Sequence, residues 1–210
     1  MKTKDSKLLL KINGKTVLER SVNAFLNISD VDEVIVVARE KDIPAFSDIL
    51  TDERVSFVVG GDTRQQSVMN AVDVIDDCEL IIIHDGARPL IKSEDIENTI
   101  RAAKENKAAA VGVFVKDTVK VVDKNGFVVS TPDRSTLFAV QTPQIFDFEL
   151  YRKAAQNTRE KGFDFTDDCQ LVESFNQKVK TVVGSYSNIK ITTPDDIVLA
   201  ENLLKNEALI

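Results

Sequence analysis

The sequence is short of several residue types, and each shortage excludes a class of protein. Its 210 residues include no tryptophan, one histidine and two cysteines. Cys78 and Cys169 are far apart and lack the CxxC spacing of zinc and redox motifs, so we expect reduced thiols in a cytoplasmic protein. No apolar run approaches the roughly 20 residues that cross a bilayer, and residues 1–7 lack the apolar stretch of a signal peptide. We therefore expect no membrane partner.

The chain also lacks an excess of positive charge. Lysine and arginine number 27 against 34 aspartates and glutamates, which gives a formal net charge of -7. A general nucleic-acid binder carries a basic face, so this balance argues against a nucleic-acid partner. It does not exclude a nucleotide ligand, because a few well-placed cations can hold phosphates locally.

Strand-like and helix-like segments alternate along most of the chain. This order predicts one α/β domain over residues 1–210, with a Rossmann-like, mostly parallel sheet and helices on both faces. The predicted strands are residues 34–38, 55–59, 80–83, 109–115 and 179–183. The predicted helices are residues 17–26, 43–50, 67–74, 93–107, 149–161, 167–176 and 194–206.

One segment breaks the alternation. Residues 118–122 and 127–130 are apolar and flank Asn125-Gly126, which is a strong hairpin signal. An isolated two-stranded hairpin is only marginally stable in water. We therefore expect residues 116–134 to form a β-arm that packs against a second subunit in a homodimer. The alternative is a hairpin folded back on its own domain.

The most informative motif follows the apolar run of residues 80–83. His84-Asp85-Gly86-Ala87-Arg88 places a carboxylate and a guanidinium three residues apart at the carboxyl end of a predicted strand. Ligands of open α/β sheets bind at that edge. An acid that can bind a metal beside a base that can bind phosphate suggests chemistry on a phosphorylated substrate. The alternative is a turn whose Asp85 caps a helix and whose Arg88 is solvated. The single histidine, His84, is interpreted as a hydrogen-bonded structural residue and not as a base.

A second candidate site is the loop Gly60-Gly61-Asp62, which follows a strand and opens a helix. Glycines let the backbone approach a ligand closely, and a helix N-terminus favours anions. Arg64 and Ser67 are three residues apart and can share one face of the first turn. Taken alone, the two glycines equally fit plain turn geometry.

Taken in order, six segments resemble the 2-C-methyl-D-erythritol 4-phosphate cytidylyltransferases of the non-mevalonate isoprenoid pathway. The resemblance covers essentially the whole chain, and the six motifs in series are specific where each alone is modest. The matching segments are Ser6-Lys7 with Asn13-Gly14, Gly60-Gly61-Asp62-Thr63-Arg64 with Ser67-Val68, His84-Asp85-Gly86-Ala87-Arg88-Pro89, Gln141-Thr142-Pro143-Gln144, Phe165-Thr166-Asp167-Asp168, and Asn188-Ile189-Lys190-Ile191-Thr192.

This resemblance implies a reaction and a set of roles. A phosphate oxygen of the substrate attacks the α-phosphorus of CTP and displaces pyrophosphate, with Mg²⁺ on the triphosphate and Asp85 beside the metal. The residues implied to be catalytic are Lys7, Lys190 and, reaching from the partner subunit, Arg134. Those implied to read the cytosine and ribose are Gly60, Gly61, Asp62 and Ser67. Those implied to hold the polyol phosphate with Lys190 are Asp85, Arg88, Thr142 and Thr166.

The sequence departs from the family at its beginning. The family starts with a buried strand and a glycine-rich loop around the triphosphate, and this sequence starts after them. We therefore expect free edges on two neighbouring strands, weak CTP binding and compromised folding. A smaller departure is Leu8, where the family usually has glutamine. The alternative functions are ribitol-5-phosphate cytidylyltransferase and an inactive remnant that only dimerises.

Overall fold

The computed structural model describes residues 6–207. They form ten strands, of which the first two and the two arm strands are short. The strands are β1 (Lys11–Ile12), β2 (Lys15–Thr16), β3 (Val34–Ala38), β4 (Val55–Val59), β5 (Leu80–Ile83), β6 (Ala108–Phe114), β7 (Val121–Val122), β8 (Val128–Ser130), β9 (Phe138–Asp147) and β10 (Lys180–Val183).

Seven α-helices occur in the same range, and each one corresponds to a predicted helix. They are α1 (Val17–Leu26), α2 (Ile43–Ser47), α3 (Arg64–Val72), α4 (Ser93–Asn106), α5 (Phe148–Lys161), α6 (Asp168–Glu173) and α7 (Pro194–Glu207). None of the helices within residues 6–207 is long and apolar enough to cross a membrane.

Helix α3 begins three residues earlier than the sequence predicts, because Thr63 and Gln66 form a capping box. The Thr63 hydroxyl accepts the Gln66 N–H at 3.1 Å, and the Gln66 side chain accepts the Thr63 N–H at 3.3 Å. These two hydrogen bonds satisfy amides that the first helical turn leaves without a partner. The helix therefore starts directly behind the glycine loop.

The main sheet has the strand order β10-β6-β9-β5, and β3 pairs with β4 beside it. The β10–β6 and β3–β4 pairs are parallel, whereas β9 runs antiparallel to both β5 and β6. The predicted α/β class with helices on both faces is confirmed, and the sheet is mixed because of β9.

Strand β9 is the one long element that the sequence did not predict. Residues 141–146 are all buried, although Gln141, Thr142, Pro143 and Gln144 are not typical of a central strand. The peptide bond between Thr142 and Pro143 is cis. Tertiary hydrogen bonds satisfy the buried polar side chains, as described below, so the polar composition concealed a strand.

The sheet has an apolar cluster on each face, as alternation along its strands requires. Ile81 and Ile83 pack with residues of α3, α5 and α6 on one face. Leu80 and Ile82 pack with residues of α1 and α4 on the other face. The run of residues 80–83 is therefore buried from both sides, which explains its continuous apolar composition.

A groove of about 480 Å³ separates β3 from β5. Its lining includes residues 33–37, at and just before β3, and residues 80–86, which are β5 and the turn after it. Within residues 6–207, β3 pairs with β4 and β5 pairs with β9, so both strands border the groove with an edge that has no strand partner.

The predicted hairpin forms from β7 and β8, with Gly126 at φ +87° in its turn. Every residue from 116 to 131 is exposed. The apolar members that stand in solvent are Val119, Val121, Val122, Phe127, Val128 and Val129. The hairpin therefore does not fold back on its own domain, and the alternative considered for it is wrong.

Candidate active site

Strand β5 presents a tight turn at the carboxyl edge of the sheet. The strand ends at Ile83, and the Arg88 N–H donates to the Asp85 carbonyl at 2.8 Å. That hydrogen bond closes a four-residue turn through Gly86. The Ser21 hydroxyl of α1 donates to the Gly86 carbonyl at 2.9 Å, which ties the turn to a neighbouring helix. The side chains of Asp85 and Arg88 consequently leave one fixed turn.

His84 holds this turn in place and is not arranged as a base. Its Nε2 donates to the Arg88 carbonyl at 3.1 Å, since a carbonyl only accepts. The Nδ1 atom therefore accepts the Thr142 hydroxyl at 3.1 Å, and that hydroxyl in turn accepts the Asp85 N–H at 3.0 Å. Burial lowers the pKa of His84 to about 4, so the ring is neutral near pH 7. The structural interpretation of His84 is confirmed.

Two cationic side chains contact the Asp85 carboxylate, and a third lines the same cavity. Lys190 Nζ lies 2.9 Å from Asp85 Oδ2, and Arg88 Nε lies 3.5 Å from the same oxygen. Lys7 Nζ donates to the carbonyl of Ile191, the residue after Lys190, at 3.0 Å. One carboxylate and three cations leave this cluster, hereafter the Asp85 cluster, with two excess positive charges. A phosphate dianion carries the complementary charge.

Neighbouring charges keep Asp85 ionised. Burial acts to raise the pKa of Asp85, but the hydrogen bond and charge of Lys190 and the charges of Arg64 and Arg88 outweigh it and lower the pKa. Burial lowers the pKa of Arg88, whose guanidinium nevertheless stays protonated in a protein. The Asp85 carboxylate and the Arg88 guanidinium are therefore both charged near neutral pH.

A cavity of about 580 Å³ adjoins the cluster. Lys7, Asp85 and Lys190 line it, together with Arg39 at the end of β3 and Thr192. Pockets that enclose small ligands commonly have volumes of roughly 300–1,000 Å³. The cavity is thus large enough for a nucleotide or a sugar phosphate in contact with the cations.

The glycine loop lies beside this site and is ordered by α3. The Gly61 N–H donates to Ser67 Oγ at 3.1 Å, and the Asp62 N–H donates to Gln66 Oε1 at 2.9 Å. A Cβ at Gly61 would come within 2.5 Å of Gln66 Cβ, so this close approach requires glycine. Ser67 lines the same groove as Asp85. The loop and the Asp85 cluster therefore border one continuous opening.

Three buried amide side chains support the cluster from behind. The Asn188 side chain donates to Gln141 Oε1 and to the Thr142 carbonyl, both at 3.0 Å, while the backbone carbonyl of Asn188 accepts Arg88 Nη1 at 2.7 Å. Gln144 Oε1 accepts the N–H of Asp168 at 3.1 Å. The sequence did not assign roles to these amides, although they lie within its motifs. Their polar character at buried positions is visible only once β9 is placed.

Two predicted site residues lie away from the Asp85 cluster. Thr166 is exposed, and its N–H and hydroxyl both donate to Gln170 Oε1 at 3.2 Å. Arg134 is exposed at the base of the arm, where Nη1 donates to the Lys116 carbonyl at 2.7 Å. Within this chain, neither residue contacts Asp85 in the described region. The implied role of Arg134 requires a second subunit, so it stays a prediction.

The residues present suit a divalent cation only in a limited way. Residues 6–207 contain no group of three His, Cys, Asp or Glu side chains that could hold a metal. Asp85 can supply one carboxylate. Mg²⁺ commonly binds through one or two carboxylates, with substrate phosphates and water completing its shell. The site therefore fits a cation that arrives with a nucleotide, with Asp85 as its single protein ligand.

Comparison with known proteins adds a family to this geometry. The family model described as IspD: 2-C-methyl-D-erythritol 4-phosphate cytidylyltransferase matches residues 1–206. The chain is 48% identical over 206 residues to the protein of that name from Caldanaerobacter subterraneus, covering 95% of this chain and 91% of the relative. It is 43% identical to the Desulforamulus reducens protein of the same name over 98% of this chain and 90% of the relative.

Solved structures give the same result. The crystal structure of 4-diphosphocytidyl-2C-methyl-D-erythritol synthase from Anaerococcus prevotii has a TM-score of 0.87 at 38% identity, covering 93% of this chain and 88% of that one. The 2-C-methyl-D-erythritol 4-phosphate cytidylyltransferase of Thermus thermophilus has a TM-score of 0.82 at 32% identity, covering 95% and 93%. These likenesses extend over nearly the whole fold.

Proposed function

The chain belongs to the 2-C-methyl-D-erythritol 4-phosphate cytidylyltransferase family, and on this premise we propose that the Asp85 cluster is its catalytic centre. The enzyme transfers a cytidylyl group from CTP to 2-C-methyl-D-erythritol 4-phosphate in the non-mevalonate pathway of isoprenoid synthesis. The products are 4-diphosphocytidyl-2-C-methyl-D-erythritol and pyrophosphate. The remaining question is which side chains perform this transfer.

The observation that carries the proposal is the charge arrangement around Asp85. Arg88 and Lys190 contact the Asp85 carboxylate, and Lys7 lines the adjoining cavity of about 580 Å³ with Asp85 and Lys190. Two excess positive charges match the dianionic phosphate of the substrate. Ion pairs to Asp85 hold the Lys190 ammonium and the Arg88 guanidinium in position before the substrate arrives. Such preorganised charge is the main means by which proteins accelerate phosphoryl transfer.

In the proposed reaction, Arg88 and Lys190 orient the phosphate of the methylerythritol substrate. One of its oxygens attacks the α-phosphorus of CTP, and the bond from that phosphorus to the oxygen of the leaving pyrophosphate breaks. Lys7 stabilises the negative charge that develops on the α-phosphate. Positioning of the two reactants supplies much of the rate, because no covalent intermediate with the protein is needed.

The glycine loop is proposed to bind the cytidine. Ser67 and Gln66 already bind the Gly61 and Asp62 amides, which fixes the loop conformation. The Asp62 carboxylate and the Gly60 backbone are the proposed contacts with the base and the ribose. Thr166 is proposed to contact the polyol after a local rearrangement, because its hydroxyl is held by Gln170 here.

Mg²⁺ bound to the nucleotide phosphates is proposed as the cofactor, with Asp85 as its protein ligand. When bound, the ion neutralises phosphate charge. The ion pair of Asp85 with Lys190 orients the carboxylate. The chain contributes a single carboxylate, so metal affinity depends on the nucleotide.

We also propose that residues 1–210 act as one catalytic domain and that residues 116–134 form a dimerisation arm. Phe127 and Val129 are 71% and 66% exposed, and both are large apolar side chains of the hairpin. Apolar exposure of this extent is typical of an interaction surface. A partner paired there gives Arg134 a route to the site of the other subunit.

Turnover of the purified chain tests the proposed function. Pyrophosphate release is measured at millimolar CTP with 2-C-methyl-D-erythritol 4-phosphate and, in parallel, with ribitol 5-phosphate. We expect turnover of the methylerythritol substrate, with Lys190→Gln lowering kcat/KM at least about 100-fold through the loss of a charge-assisted contact to the phosphate.

The control is Lys180→Gln, which removes an exposed lysine from β10 and should leave kcat/KM unchanged. Preference for ribitol 5-phosphate would contradict the substrate assignment. Absence of turnover with either substrate, in a chain shown to be folded, would favour the inactive remnant. Equal effects of the two lysine variants would exclude the Asp85 cluster as the catalytic centre.

A further inference from the structure

Arg64 forms an ion pair of unequal exposure beside the proposed site. Arg64 is the first residue of α3, directly behind the glycine loop. Its Nη2 lies 2.6 Å from Asp168 Oδ2, and the two side chains are 36% and 2% exposed respectively. The carboxylate is thus buried, whereas the guanidinium reaches solvent.

The buried partner is itself rigidly held. The Tyr151 hydroxyl donates to Asp168 Oδ1 at 2.6 Å, and the Asp168 N–H donates to Gln144 Oε1 at 3.1 Å. Tyr151 is fully buried, and burial together with the Asp168 charge raises its pKa, so its hydroxyl remains a proton donor. The Tyr151 hydroxyl thus engages Asp168 Oδ1, and the buried Oδ2 has the Arg64 guanidinium as its ion-pair partner.

Arg64 lies between the two parts of the proposed site. It lines the groove together with Ser67 of the nucleotide loop and with Asp85. Burial acts to lower its pKa, but the charges of Asp168 and then of Asp85 outweigh it and raise the pKa. An arginine presents five N–H donors in a planar fork. The contact with Asp168 occupies one of its terminal nitrogens and leaves donors to face the groove.

We propose that Arg64 is a further anion-binding residue, which binds a phosphoryl oxygen between the 60–67 loop and the Asp85 cluster. Asp168 and Tyr151 are its positioning residues. The inference rests on the proposed function for the identity of the anion, a phosphate of the nucleotide or of the polyol. The inference can be tested by binding alone, without turnover. An ordinary surface ion pair does not need a buried carboxylate that is fixed by a tyrosine. A guanidinium that must be held in one orientation needs such a partner.

Inorganic pyrophosphate is the probe, because its binding is measured by calorimetry without catalysis. We expect Arg64→Lys to weaken pyrophosphate binding roughly tenfold, since lysine keeps the charge but loses the fork, and Arg64→Ala to weaken it further. Tyr151→Phe should weaken binding to a smaller degree. Millimolar methylguanidinium should partly restore binding to Arg64→Ala. Arg152→Ala is the control, because Arg152 pairs with Glu149 on the surface of α5 and should bind as the wild type does.

A purely structural salt bridge predicts a different result for the double variant Arg64→Gln/Asp168→Asn. Removing both charges avoids leaving an unpaired buried carboxylate. A structural role therefore predicts recovery of pyrophosphate affinity, whereas our proposal predicts continued loss. Recovery in the double variant, or a wild-type chain that does not bind pyrophosphate, would overturn the inference. Turnover is scored separately: an inactive chain whose pyrophosphate affinity still depends on Arg64 counts against the proposed function alone.

Discussion

The hydroxyl of Thr142 connects the turn that carries Asp85 to strand β9, and its removal is the sharpest test of how the site is held. Thr142 is 4% exposed. Its hydroxyl accepts the Asp85 N–H at 3.0 Å and donates to His84 Nδ1 at 3.1 Å. Thr142→Val keeps the side-chain shape and removes both hydrogen bonds. One substitution therefore separates hydrogen bonding from packing.

The expected loss follows from the two groups left behind. An unsatisfied buried donor or acceptor costs about 1–3 kcal/mol, so two of them lower the free energy of unfolding by about 2–6 kcal/mol in Thr142→Val. The Asp85 backbone also loses the contact that fixes its position. Misplacement of a catalytic group by about 1 Å can cost roughly 100-fold in rate, so we expect kcat/KM to fall 10- to 100-fold.

Urea unfolding and steady-state kinetics measure the two effects. Thr142→Ser keeps the hydroxyl and should retain most of the stability and activity. Thr158→Val is a second control, because the buried Thr158 hydroxyl donates only to Ala154 within its own helix. If Thr142→Val and Thr142→Ser behaved alike in both assays, the hydroxyl would not position Asp85 and the reasoning would fail.

Two further predictions concern pH and assembly. Burial lowers the pKa of His84 from 6.5 to about 4, so the unfolded chain takes up a proton first as the pH falls through this range. The neutral ring therefore contributes about 3 kcal/mol to the free energy of unfolding above pH 6.5, and this contribution is lost by about pH 4. His84→Gln should flatten this part of a curve of stability against pH. An unchanged slope would contradict the assignment. For the arm, light scattering should give the mass of two chains for the wild type and of one chain for the double variant Phe127→Asp/Val129→Asp. The control variant Val74→Asp, at an exposed position outside the arm, should remain dimeric. A monomeric wild type would disprove the proposed interface.

Most helices and strands with a clear hydrophobic pattern could be predicted from the sequence. Residues 80–83 form an uninterrupted apolar run and are buried from both faces, because each side chain of the strand finds an apolar cluster. The hairpin followed from Asn125-Gly126, whose glycine adopts φ +87°. In both cases the local pattern and the tertiary environment agree, so local reasoning was sufficient.

Strand β9 shows where such reasoning stops. Gln141, Thr142 and Gln144 are buried in it, and their polarity argued against a central strand. Their hydrogen bonds run to Asn188, to His84 and to residues 167–169, which are 23 to 58 residues away in sequence. The same residues carry the site, so the element that local patterns missed is the one that supports function.

The sequence by itself determined the fold class, the two candidate loops and the residue types of the site. Carboxylate, guanidinium and ammonium groups at strand ends indicate phosphate chemistry wherever they meet. Only the tertiary structure decided that Lys7, Asp85, Arg88 and Lys190 meet, since Lys7 and Lys190 lie 183 positions apart in the chain. It also decided that Arg64 is held by Asp168 and that Thr142 holds the turn. The residue types fix which functional groups are available. Tertiary packing alone sets their distances and burial, and these determine how the charges interact and how the pKa values shift.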